Sequence, residues 1–169
     1  MATTSGSWRR STGAAAGAVL LLLGLGAGCG GGGGSGGDDA QAKGVFAAKL
    51  KSEGSRLKTA LTAADLGRAE NFKSFSGALA HLESVLRQTA RDLDALQAPD
   101  DAAADTAKLA DLYRKAAAKE GETAAAAKAG NQQRVRALAG QADDLLAQVT
   151  AVTNDLRAKG YQVGVLGTH

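Results

Sequence analysis

Cysteine, proline and aromatic side chains are almost absent from this chain of 169 residues, which holds one cysteine, one proline, one tryptophan, two tyrosines and three phenylalanines. A single cysteine excludes an intrachain disulfide, and it excludes a zinc site built on several thiolates. Aromatics make up only 4% of the chain, too few for the stacking platforms that hold single-stranded nucleic acid, and no basic stripe compensates for them. The two histidines, His81 and His169, stand far apart in sequence and read as solvated side chains rather than as part of a metal site. Alternating β-branched runs are missing too, which leaves nothing to build a sheet. Net charge is also scarce: the formal +3 falls to +1, 18 basic against 17 acidic residues, once Arg9 and Arg10 leave with a cleaved leader.

What is present comes in zones. Residues 1–28 have the three parts of an export signal: a polar start with Arg9 and Arg10, an apolar stretch from about Ala14 to Leu25, and the small residues Gly26, Ala27 and Gly28. The apolar stretch is short of the roughly 20 residues that a spanning helix needs, and glycine interrupts it. The Arg9-Arg10 pair lacks the apolar flank of a twin-arginine signal, so the general secretory route is the expected one.

The small residues end directly on the only cysteine. Leu25-Gly26-Ala27-Gly28-Cys29 resembles the bacterial lipobox, with Leu25 one position earlier than the family's leucine and Gly26 in its place. The resemblance implies cleavage before Cys29 and a diacylglyceryl group on its thiol, with Leu25, Gly26, Ala27 and Gly28 as the recognition residues. An uncleaved anchor, or an ordinary secreted protein that loses this thiol with its leader, are the alternatives. Residues 29–39 then form a glycine-rich tether after the lipidated Cys29. For about 11 residues of flexible coil the span is roughly 18–20 Å, enough to hold a folded unit clear of the headgroups. Attachment through acyl chains would make the protein anchored rather than inserted.

Residues 40–160 are alanine-rich and favour helix throughout. The fold class expected is all-α, an antiparallel three- to four-helix bundle. The first segment runs from about Ala40 to Ala64, after Asp38 and Asp39 as cap candidates, with Phe46, Leu50, Leu57 and Leu61 on one face; Gly44 and Gly54 weaken it and Gly67 stops it. A connector from Arg68 to Phe75 places Phe72 and Phe75 as plugs at the bundle's end. The second segment, capped by Ser74 or Ser76, carries Leu79, Leu82, Leu86, Thr89, Leu93 and Leu96 at three-four spacing until Pro99 ends it. Asp100 and Asp101 suit the positive start of a third helix with Leu109, Leu112 and Tyr113. Gly130-Asn131 stops that helix and caps a fourth, whose seam is Val135, Leu138, Ala142, Leu145, Val149, Val152 and Leu156. The tail, residues 161–169, either straps back over the bundle or is offered to a partner.

From Gln97-Ala98-Pro99 through Ala129-Gly130-Asn131 to Tyr161-Gln162-Val163-Gly164, the chain resembles small helical lipoproteins of high-GC Gram-positive (actinobacterial) type. Those proteins close on an aromatic-x-Val-Cys-Gly element; here the cysteine and its partner in the first helix are both absent. The family brings no assigned activity.

No catalytic constellation and no metal-ligand set emerges. Asp100-Asp101 and Asp143-Asp144 read as helix-start and surface carboxylates. Gly30 to Gly34 is not a phosphate loop, because no lysine-hydroxyl pair follows it. The expectation is a non-enzymatic module without cofactor other than the lipid on Cys29, held on the extracytoplasmic side of the cell membrane. Its expected contacts are the membrane and an envelope protein, not nucleic acid; the oligomeric state stays open. The alternative is a module that binds an apolar or lipid-like ligand between its helices.

Overall fold

A computed structural model describes residues 37–64, 66–164 and 166. The leader, the lipobox residues Leu25 to Cys29 and most of the tether lie outside the described residues.

Four α-helices follow one another: α1 (Gly37–Ala64), α2 (Phe72–Asp94), α3 (Asp100–Lys128) and α4 (Gln132–Ala158), with one 3-10 turn, Leu66–Arg68, between the first two. No strand occurs among the described residues. The helices run alternately up and down. Arg56 pairs with Asp92 between α1 and α2, Ser76 bonds the Ala124 carbonyl between α2 and α3, and Lys159, just past α4, pairs with Asp105 of α3.

The turns follow from local chemistry. The Asn71 side chain accepts from the Ser74 amide while the Ser74 hydroxyl accepts from the Asn71 amide, a reciprocal pair that satisfies two otherwise unpaired donors at the start of α2. Pro99 precedes α3, whose first turn carries Asp100 and Asp101. Gly130 takes φ 70°, the left-handed conformation that a side chain resists, and Asn131 caps α4 by accepting from the Arg134 amide.

Several boundaries differ from those expected. α1 begins at Gly37, so Asp38 and Asp39 lie inside it, where acidic residues are favoured by the positive helix end. It ends at Ala64 before Gly67, which falls in the 3-10 turn. Asn71 caps α2, not Ser74 or Ser76, and Phe72 and Phe75 therefore belong to its first turn rather than to a connector. Leu61 does not join the buried face of α1: it is 39% exposed, although Leu57 and Ala64 on either side of it are buried.

The core is built from the expected spacings. Phe46, Leu50 and Leu57 of α1 meet Leu82, Leu86 and Leu93 of α2, Leu109, Leu112 and Tyr113 of α3, and Val149, Val152 and Leu156 of α4 in one continuous cluster. Each such side chain contributes roughly 1.5–3 kcal/mol on burial. The helices are not equal partners, however. The backbone of α3 lies close to both α2 and α4, whereas that of α1 comes close to α2 alone.

The C-terminal segment fills that missing side. After Gly160, at φ 90°, the chain doubles back with Tyr161, Val163 and Leu166 buried. Tyr161 meets Phe46 edge to face with ring centroids 5.2 Å apart, and the Tyr113 hydroxyl donates to the Leu166 carbonyl at 2.9 Å. At Gly164, with φ 55°, a Cβ would lie 3.9 Å from the Gly54 Cα of α1. Gly54 is buried there. The tail is thus a strap, and the glycine that weakens α1 lies, with Lys51, against the strap at Gly164.

Candidate functional site

Of the carboxylate pairs singled out in sequence, Asp100-Asp101 does structural work through Asp101. Asp101, in the first turn of α3, receives Lys43 Nζ of α1 at 2.7 Å and the Tyr161 hydroxyl at 2.6 Å. Lys159 Nζ donates to the Asp101 carbonyl and to the Asp105 carboxylate, each at 2.7 Å. The Lys43 ammonium, then the Tyr161 hydroxyl, holds the Asp101 carboxyl below its ordinary range. Burial, and then the bond to Asp101, pushes the Tyr161 phenol up. The cluster ties α1, α3 and the strap together at one pole. With each of these polar groups engaged by a neighbour, it is a clasp and presents no vacant ligand set.

Asp143 and Asp144 lie exposed on α4, and His81 lies exposed on α2; His169 is outside the described residues. No group of three or more metal-ligating side chains occurs among the described residues. No described helix is long and apolar enough to cross a membrane.

Two features were not visible in the sequence. Glu120 sits three residues after buried Ala117 and four before buried Ala124, on the inner face of α3. Burial alone pushes its carboxyl up to about 7. The charges around it gave no clue, since a glutamate among alanines reads as a solvated residue.

The second feature is a cleft of about 520 Å³ at the pole opposite the clasp, lined by Leu66, Ala69, Glu70, Asn71, Phe72 and Phe75. Both phenylalanine rings are half-buried. The Asn71–Ser74 cap fixes the turn that carries them, and the bond from the Ser76 hydroxyl to the Ala124 carbonyl, 3.0 Å, fixes that turn against α3. The sequence placed these rings at the bundle's end, but not around a cleft. Its volume is within the range of small-molecule pockets. Rings and aliphatic carbons dominate the lining, and no buried side-chain donor or acceptor lacks a partner among the described residues. Such a wall suits hydrocarbon better than a sugar or nucleotide, which would require polar groups aimed inward.

No family model, curated protein or solved structure matches this chain.

Proposed function

We propose that the protein is a non-enzymatic helical module tethered through a lipid on Cys29 to the extracytoplasmic face of the cell membrane, where it engages an envelope protein. One observation supports this above the others: α1 reaches back at least to Gly37, and only seven residues, glycine and serine by composition, separate that point from Cys29. A flexible coil of that length spans roughly 13–16 Å. The clasp pole would therefore face the membrane closely, and the cleft pole would stand about 40 Å away along α1.

Intact-mass measurement of the membrane-extracted protein tests the anchor. The expected product has lost residues 1–28, gained a diacylglyceryl group, and shows neither change in a Cys29→Ala variant. A full-length, unmodified mass would overturn it.

A second reading, a module for an apolar ligand, is supported by the cleft between the α1–α2 connector and the first turn of α2.

A further inference from the structure

We infer that the cleft at the α1–α2 connector takes a single acyl chain bearing an anionic head, a chemistry shared by fatty acids and lysophospholipids. The inference rests on the apolar-ligand reading and adds the ligand's shape and charge.

The tail is specified by the walls. Phe72, Phe75 and Leu66 offer carbon surface. The cleft is too small for a folded partner's hydrophobic face and of a size for one chain.

The head is specified by charge. Lys73 is exposed on the turn that carries both phenylalanines. Lys128 in the last turn of α3 stands at the same pole, because the Ser76–Ala124 bond sets the start of α2 against the end of α3. Including Arg68, Lys119, Arg134 and Arg136, that pole carries six cations against Glu70, Glu120 and Glu122 among the described residues. Glu122 is engaged by Lys119 and Arg134. Glu70 is the one acid in the lining, and it opposes the ligand's head.

The test is photolabelling of the full-length chain with a dodecanoate that carries a diazirine on its chain, followed by tryptic mapping. Adducts should concentrate on residues 59–68, 69–73 and 74–87, the peptides that hold the lining. Excess laurate or dodecyl phosphate should suppress them, while dodecanol suppresses weakly and dodecyltrimethylammonium not at all. Lys73→Glu should lower labelling by about threefold and Glu70→Gln should raise it by a similar factor, the scale of exposed charge pairs. Both residues are exposed, so the fold is preserved in each variant. Equal suppression by dodecanol or the ammonium, or labelling indifferent to both variants, would overturn the anionic head and leave the apolar-ligand reading standing. Absent or scattered labelling would overturn both.

Discussion

The two halves of this bundle are built from the same helices and differ in almost everything else. At the clasp half, α3 contributes Leu109, Leu112 and Tyr113, α1 contributes Phe46 and Leu50, and the strap adds Tyr161, Val163 and Leu166 to one continuous core. At the cleft half, α3 contributes Ala117, Thr123, Ala124, Ala126 and Ala127, with Glu120 among them. Leu79 of α2 and Leu138 of α4 are buried there but stand apart from the main cluster. An alanine buries little area, so its helices approach closely without gaining much from it. The difference teaches that helical spacing alone produces packing, while the volume of the side chains and a closing segment decide where stability resides.

Removing the strap should have the largest effect on that contrast. Deletion of residues 161–169 removes three buried apolar side chains and uncovers Phe46, a loss of several kcal/mol. Calorimetry should show a melting temperature lower by about 10–20 °C; a shift of only a few degrees would mean the halves are equally stable.

A matched pair of ring truncations sharpens the comparison. Phe46→Ala, in a site 1% exposed, should cost roughly 3–5 kcal/mol by denaturant unfolding. Phe75→Ala, half-buried beside the cleft, should cost about 1 kcal/mol, since solvent already reaches its ring. Equal costs would erase the distinction between core and cleft wall.

Glu120 supplies the only effect with a pH signature. Its folded value near 7 lies above the ordinary 4.5. The unfolded chain therefore releases this proton first as pH rises. Stability is fully present below about pH 4.5 and declines until about pH 7. Glu120→Gln should remove that decline, making the variant more stable than the parent by about 2 kcal/mol near pH 8 and equal to it near pH 4. Parallel stability curves would show that the carboxyl is solvated in both forms.

Much of this architecture was legible in the chain. Leu79, Leu82, Leu86 and Leu93 announce their helix by spacing, and Pro99 and Gly130-Asn131 mark turns that the structure places where they were expected. The start of α2 was misread because two phenylalanines in succession resemble a loop plug, and the capping role of Asn71 depends on Ser74 three residues later. The gap between α1 and α4 was not legible at all. Periodicity reports which face of a helix is buried but not what buries it; the face carrying Phe46, Leu50 and Leu57 could have met α4 as readily as a strap. The pairing of Asp101 with Tyr161 joins residues sixty apart, and no local pattern encodes it. The cleft is similar, because its walls are ordinary turn residues until their cap fixes them.

The strap also orders events in time. A chain synthesised from its amino end delivers α1 first and residues 161–166 after the other helices, yet these two segments pack on each other. α2, α3 and α4 meet neighbours adjacent in sequence and can form as soon as each hairpin emerges, whereas the long loop closed by Phe46 and Tyr161 carries the larger entropic cost. The strap must therefore be delivered before the first helix is locked, and until then part of that helix's apolar face stays uncovered.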